Sequence, residues 1–442
     1  MIKPVRASSV CAAFCLIGAV GVIGGAFARA AQAQDTTVAS GVRIGLTYDR
    51  NGKPAIAIAP VSGSHADSVR AILIRDFDFS DRIDVIAADS AEPPTGALNY
   101  ALYAKLMATA VVQAAVTPAG ALHVAVHDVA QKRVALVMDI PLPIPAYSGD
   151  WRAVVHAAAD SVEWLVFGQK GIAGSRVAYV RGGQVWTVDA DGSNARPLAG
   201  TDGGLSPAWN QTGARLTYGV LPPDGRSRIV VRDLAAGSVW STAAASLNMS
   251  PVFSPDGSQV VFAAGNEGTD LYSAMPFSSD PPRRLTSRRG SSNTSPSFSP
   301  DGLRVAFTSG LLGHAEVYIM DADGSSAELL TTSGFGDQLY RSNPAWSPDG
   351  RLVAFQSRIN GLFQVMTISV RDKSTRQLTS DGANEDPSWA PDARHVVFVS
   401  TRSGARELWV LDIESSRARQ ITHGGRVQNP AWSPRLEFSR QP

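Results

Sequence analysis

Beyond residue 175 apolar and polar positions alternate in short runs, and one turn breaks the alternation repeatedly. The clearest copy, NPAWSPDGRLVAFQS, begins at Asn343. Related strings begin at Ser206 (SPAWNQTGARLTYG), Ser250 (SPVFSPDGSQVVFAA), Ser295 (SPSFSPDGLRVAFTS) and Asp386 (DPSWAPDARHVVFVS), and a shortened NPAWSP begins at Asn429. The leading prolines, Pro207, Pro251, Pro296, Pro344, Pro387 and Pro430, stand 44, 45, 48, 43 and 43 residues apart. Period-two alternation predicts strands. In Ser-Pro-Asp-Gly the proline presets φ, the aspartate bonds locally and the glycine takes the positive φ that closes a turn. Trp346 and Phe355 are thus predicted on two antiparallel strands of a hairpin. Runs such as AEVYIMDADG at Ala315 and RQLTS at Arg376 supply two further strands. Four strands per repeat of this length is the content of one propeller blade. The 3.6-residue periodicity that a helical solenoid needs is not found here.

Five repeats place an aromatic on the first strand nine residues before one on the second: Trp209/Tyr218, Phe253/Phe262, Phe298/Phe307, Trp346/Phe355 and Trp389/Phe398. Trp432 has no complete second strand after it, and Tyr179, in SRVAYVRGGQVWTVD, has no first strand before it. Both are expected in one blade built from the two ends of the repeat region, which closes a six-bladed ring and removes open sheet edges. The propeller is expected over 172–438.

The pattern differs upstream. AIAIAP (55–60) reads as a buried strand, and HADSVRAILIRDF (65–77) as a helix with Ser64 available as its cap. RIDVIAA, TAVVQAAV and the two runs of ALHVAVHDVAQKRVALVMDIPLP read as strands, and ALNYALYAKLM and residues 150–168 as helices. Residues 34–168 are therefore expected to form a small α/β domain with a mixed sheet, tied to the propeller by a linker at 169–175. The first 33 residues carry Lys3 and Arg6, an apolar run over 10–28 and Ala31-Gln32-Ala33, the layout of a signal peptide cleaved after Ala33. An uncleaved anchor is the alternative. Both cysteines, Cys11 and Cys15, lie in that segment, so no disulfide is expected beyond it. Removing Lys3, Arg6 and Arg29 from the 40 basic residues leaves 37 against 39 acidic ones. A near-neutral chain carries no footprint for nucleic acid or an anionic membrane.

Catalytic patterns are scarce. His123 and His127 lie four apart on an alternating strand, outside any HExxH arrangement. Asp189-Ala190-Asp191-Gly192 and its twin at Asp321 lack the further ligands of a calcium loop and read as tight turns. No G-x-S-x-G occurs. The first strands, expected to line the channel, offer no ring of His, Asp or Glu to hold a metal or act as acid and base. The loops leading into those first strands gather at one mouth of the channel. They carry Arg288, Arg289, Arg341 and Arg426 beside Asp337, Glu385 and Asp386, with Phe335, Leu339 and Tyr340 among them. Mixed charge with a few aromatics is the composition of a protein-docking rim.

A signal, a small α/β domain and six blades marked S-P-D-G, in that order, resemble the TolB family of periplasmic propeller proteins of the Tol-Pal system. The most specific pieces are VRIGLTYDRNGKPAIAIAPV, the junction GQKGIAGSRVAYV and the repeats ending in NPAWSP. The resemblance implies a non-enzymatic periplasmic adaptor, monomeric and without cofactor or metal. It would bind a Pal-like peptidoglycan-associated lipoprotein at the propeller mouth and a TolA-like inner-membrane protein through the N-terminal tail, 34–48. Its implied role is outer-membrane invagination in cell division and envelope integrity. Carried onto this sequence, the mouth contacts include Leu247, Asn248, Asn293 and Thr294. The tail contacts are Val42, Arg43, Ile44 and Leu46, within GVRIGLTY, which alternates well enough to add a strand to a partner's sheet. A propeller enzyme, such as a lyase or lactonase, and a stand-alone ligand-binding propeller are the competing readings.

Overall fold

The computed structural model describes residues 52–88, 97–222, 225–243, 247–266, 268–287, 291–331 and 340–436. The expected signal peptide and tail, and Arg288, Arg289, Phe335, Asp337 and Leu339 of the rim, lie outside the described residues.

The N-terminal part is an α/β layer built from β1 (Ala55–Ile58), α1 (Ala66–Phe79), β2 (Asp84–Ala87), α2 (Tyr100–Lys105), β3 (Ala110–Val116), β4 (Ala121–Asp128), β5 (Arg133–Pro141) and α3 (Gly149–Phe167). The strand order is β2-β1-β3-β4-β5. β1 is parallel to both its neighbours, while β3, β4 and β5 are antiparallel, so the sheet is mixed. The fully apolar β1 is an interior strand flanked on both sides, as its composition demands. Ile56, Ile58, Leu73, Val112, Val124, Trp151 and Val155 fill the layer between the sheet and helices α1 and α3. Ser64 does not cap α1. His65 takes the N-cap position with φ 59°, and its side chain bonds the Tyr147 hydroxyl (2.7 Å) instead of a backbone N–H.

The remainder is a six-bladed propeller of six four-stranded antiparallel sheets. Blades 1 to 5 start at Gly204, Asn248, Asn293, Arg341 and Asn384. Blade 6 joins Val427–Trp432 to the strands Arg176–Arg181, Gln184–Asp189 and Arg196–Pro197. Trp432 pairs with Val177 and Gln428 with Val180, so both ends of the repeat region do share one sheet. The second-strand aromatics Tyr179, Tyr218, Phe262, Phe307, Phe355 and Phe398 are all buried. Tryptophans also bond between blades: the Trp389 indole donates to Ala345 O (3.0 Å) and the Trp209 indole to Ala431 O (3.1 Å).

The six first strands share a feature that alternation alone does not reveal. In each, the pairing register shifts at the residue before the leading proline. Ser206, Ser250, Ser295, Asn343, Asp386 and Asn429 stand there with φ between 48° and 54°. Asn and Asp tolerate this left-handed backbone better than bulky residues do, which rationalises short polar residues at this place in the repeat.

Candidate functional site

The S-P-D-G turns form one end of the ring. Each first strand runs from the other end, the mouth, where the last strand of one blade hands over to the first strand of the next. One threonine after each fourth strand stitches this handover. The hydroxyl oxygens of Thr201, Thr242, Thr286, Thr331, Thr379 and Thr422 accept the backbone N–H of Val185, Ile229, Leu271, Val317, Val365 and Leu408, at 2.8–3.1 Å. In blades 2 to 5 the same hydroxyl donates to the residue just before that N–H: Asp270 (2.7 Å), Glu316 (2.5 Å), Gln364 (2.9 Å) and Glu407 (2.7 Å). These acceptors in turn hold the next blade. Asp270 accepts from Asn293 Nδ2 (3.1 Å), Glu316 from Arg341 Nη1 (3.1 Å), Gln364 from Asn384 Nδ2 (2.9 Å) and Glu407 from Gly425 N (2.5 Å). A buried acceptor left without donors would cost about 1–3 kcal/mol, so each brace resists separation of adjacent blades.

The rim residues divide accordingly. Asn293 is 3 % exposed and bound to Asp270; Asn248 is 6 % exposed, with its amide donating to Ser227 O (2.8 Å). Arg341 pairs with the fully buried Glu316. These three lie inside the frame of the mouth. Tyr340 is exposed and stacks edge-on against Phe363, with ring centroids 5.8 Å apart. Arg426 is exposed on a left-handed backbone. Glu385 is half-buried and accepts from Arg406 Nη2 (2.9 Å), and Thr294 and Leu247, at the starts of other blades, are half-buried too.

Asp386, counted with the rim from sequence, lies in the channel lining instead. The six residues before the prolines, with the prolines themselves, surround a cavity of about 160 Å³. On one side they form a chain: Ser295 Oγ donates to Asn343 Oδ1 (2.9 Å), Asn343 Nδ2 to Asp386 Oδ1 (2.5 Å), and Asn429 N to Asp386 Oδ2 (3.2 Å). Burial pushes the Asp386 carboxyl upward, against the pull of the Asn429 and Asn343 donors. One carboxylate among hydroxyls and amides supplies no acid–base pair, since general acid–base hydrolysis calls for two groups held in different protonation states.

The histidines and acidic turns noted in the sequence are engaged elsewhere. His123 pairs with Asp139 (2.8 Å), and His127 bonds Tyr100 and Gln113. Asp189–Gly192 is a tight turn closed by Gly192 N to Asp189 O (2.9 Å), as is its twin at Asp321. The first turn faces the α/β domain, where Arg152 donates through Nη2 to Asp191 (2.7 Å) and through Nε to Asp189 (3.4 Å). Asp76, His156 and Asp191 bring three donor atoms within 4.8 Å of one another, as do Asp81, His395 and Asp412. Arginines already neutralise both groups, Arg152 the first and Arg394, Arg417 and Arg419 the second. Both read as ion-pair networks joining the two domains. Among the described residues no helix is long and apolar enough to cross a membrane.

The family model described as the TolB beta propeller domain matches residues 164–436. A Tol-Pal system protein TolB from Gluconobacter oxydans (strain 621H) is 28 % identical over 156 residues, 33 % of this chain and 34 % of that protein. One from Methylococcus capsulatus (strain ATCC 33009 / NCIMB 11132 / Bath) is 29 % identical over 221 residues, 45 % of this chain and 50 % of that protein. The matched stretches thus span a third to a half of these relatives' length. The crystal structure of TolB from Acinetobacter baumannii superposes with a TM-score of 0.73 at 24 % identity, over 87 % of this chain and 97 % of that one, a likeness of fold. With more than half of its residues inside the family model, the chain belongs to the TolB beta propeller domain family.

Proposed function

We propose that this chain is a periplasmic adaptor of a Tol-Pal system, without enzymatic activity. In this reading the propeller mouth docks a Pal-like lipoprotein anchored to the outer membrane. The tail, 34–48, with Val42, Arg43, Ile44 and Leu46, joins a TolA-like inner-membrane protein by strand addition. The link serves outer-membrane invagination at division and envelope integrity. The names of the relatives, Tol-Pal system protein TolB, support the system.

The observation that carries the mouth assignment is the braced frame itself. A rim held by buried acceptors in blades 3 to 5 and a half-buried one in blade 2 presents Tyr340, Arg426, Thr294, Leu247 and the Glu385–Arg406 pair with little freedom to lose, and preorganisation favours docking. Arg288 and Arg289 belong to the same rim by sequence. Exposed Tyr and Arg are the side chains most often decisive in interfaces. Calorimetry on the full chain with each purified partner tests the reading. Y340A combined with R426E should weaken the lipoprotein at least tenfold, and R288E combined with R289E should act in the same direction. Deleting residues 35–45 should abolish binding of the inner-membrane protein and leave the melting temperature unchanged. Unchanged lipoprotein affinity in both double variants, or retained binding after the deletion, would overturn it.

A further inference from the structure

The S-P-D-G turn is the same device in blades 2, 3 and 4. Ser254, Ser299 and Ser347 donate their hydroxyls to Asp256 (2.5 Å), Asp301 (2.5 Å) and Asp349 (2.6 Å), so the aspartate is satisfied inside its own turn. Blade 5 breaks the rule. Its turn reads APDARH, with Ala390 in place of the serine and Ala393 in place of the glycine. Without the hydroxyl, Asp392 accepts instead from His395 Nδ1 (2.7 Å) and, across the domain boundary, from Arg82 Nη2 (3.4 Å). The other nitrogen of His395 meets Asp81 Oδ2 of the α/β domain at 3.4 Å. Both His395 and Asp81 have fully buried side chains.

We propose that this departure from the repeat is an ionic latch: the doubly protonated ring of His395, gripping Asp392 in the propeller and Asp81 in the α/β domain, keeps the two domains docked, and loss of its proton loosens them. This goes beyond the docking reading and does not depend on it. With both nitrogens facing carboxylates, the imidazolium can donate to each. The neutral ring carries one N–H and must turn a lone pair towards the other carboxylate.

The surroundings hold the charge in place. From the end of α1, Asp81 also receives Arg419 and Arg417 (3.3 Å), and Arg417 is shared with Asp78 (3.0 Å). From blade 5, Arg394 grips Asp412 (2.6 Å) and reaches the Asp81 carbonyl (3.3 Å). From α3, the buried Glu163 faces Asp392, its Oε1 has no hydrogen bond among the described residues, and burial pushes its carboxyl well up. Behind it Arg435 closes on the linker carbonyls of Gly171 (2.8 Å) and Lys170 (2.7 Å). Burial opposes the His395 cation, but Asp392, and then Asp81, outweigh it and push the imidazole up to about 9. The sign follows: the folded value is raised, so the latch is complete below about 6.5, the ordinary value of histidine, and is lost as pH rises through about 9. Asp392 stays beside His395 after undocking whereas Asp81 leaves, so the loss concentrates in the upper part of that window.

The test follows tryptic cutting at Lys170, in the linker, on the full chain from pH 7 to 10, normalised to a free peptide of the same sequence, with small-angle scattering beside it. The wild type should resist up to about pH 8.5, then gain cutting at about tenfold per pH unit as its radius of gyration rises. H395Q should be cut rapidly at every pH and show no alkaline step. H156Q and E163Q, which alter the neighbouring buried groups, should keep the step. D392N, which leaves the ring intact, should move the step to lower pH and serves if H395Q fails to fold. A flat wild-type profile, an alkaline step surviving in H395Q, or an unmoved step in D392N would overturn the latch.

Discussion

The two ends of the propeller are held by different means. At the mouth the same threonine occurs six times, and four blades add an acceptor that grips the next blade. At the opposite end the turns repeat, but among the described residues the contacts that hold the α/β domain do not. Asp81, Arg82 and Arg152 meet Asp191, Asp392, Arg417 and Arg419, residues that each belong to one blade only. A frame that must be equally stiff all the way round can be written into a repeat. A contact with a single neighbour has to be written into the exceptions to it.

Substitutions at the two ends should separate these modes, with one change that destroys both. Truncation after residue 428 removes Trp432, which is 7 % exposed and bonds Ser175 Oγ (2.8 Å), together with its closing strand. Loss of the buried tryptophan alone costs about 3–5 kcal/mol, and the opened sheet adds to it, so chemical denaturation should show the propeller at most marginally folded. D81A leaves the buried Arg419 without its carboxylate and takes one of two carboxylates from His395 and from Arg417, and should cost about 3–5 kcal/mol, lowering the transition of both domains. E316A should cost about 2–3 kcal/mol, because Arg341 and Thr331 lose a fully buried partner. T379V removes a hydroxyl that links Val365 N and Gln364 and should cost about 1 kcal/mol. A393G should gain up to about 1 kcal/mol, since alanine sits there at φ 57° where blades 1 to 4 place glycine. E385A, at the half-exposed rim pair, should change stability by less than about 0.5 kcal/mol. Equal costs for E316A and E385A would erase the distinction between frame and rim.

Acid sharpens the contrast from another side. Asp160 on α3 accepts from Ala173 N and Gly174 N of the linker (both 2.9 Å), and burial pushes its carboxyl up to about 6. Its contribution is complete below about 4, the ordinary aspartate value, and is lost as pH rises through about 6. Asp81 runs the other way. Burial opposes its charge, but His395 and Arg419 outweigh burial and hold the carboxyl below its ordinary value, so its contribution is present at neutral pH and fails on acidification. Melting temperatures of D160N and D81N subtracted from wild type between pH 3 and 7 should therefore slope in opposite directions.

The same contrast explains what the sequence could disclose. The six blades, the composite sixth sheet and the order of the α/β elements follow from alternation and turn residues, because strand pairing responds to a pattern rather than to one side chain. The braces were legible in principle, as Thr286, Thr331, Thr379 and Thr422 follow the short fourth strands at matching places, yet the buried acceptors look like ordinary surface charge until the fold encloses them. Arg341 and Asn293 read as rim residues for the same reason. His65 stands at the N-cap position expected of Ser64, and its ring bonds Tyr147, more than eighty residues away, a contact that local sequence does not announce. Asp386 moved from rim to channel because the left-handed residue before each proline turns the chain inward, a backbone event that composition does not announce. The latch left one trace, the APDAR spelling of blade 5, meaningful only once three intact copies show what it lacks.

The composite sheet also sets a timetable. Val177 finds its partner Trp432 only after more than 250 intervening residues have emerged. Until then the strand Arg176–Arg181 offers an unpaired edge while five further blades assemble behind it. Contacts this distant along the chain form slowly, and an edge awaiting its strand will accept an equivalent one from another copy. Refolding at high concentration should therefore yield dimers that have exchanged residues 427–432, whereas dilute refolding should yield closed rings. Any factor that shields the waiting edge during folding would act as a folding aid for the whole ring without touching the finished protein.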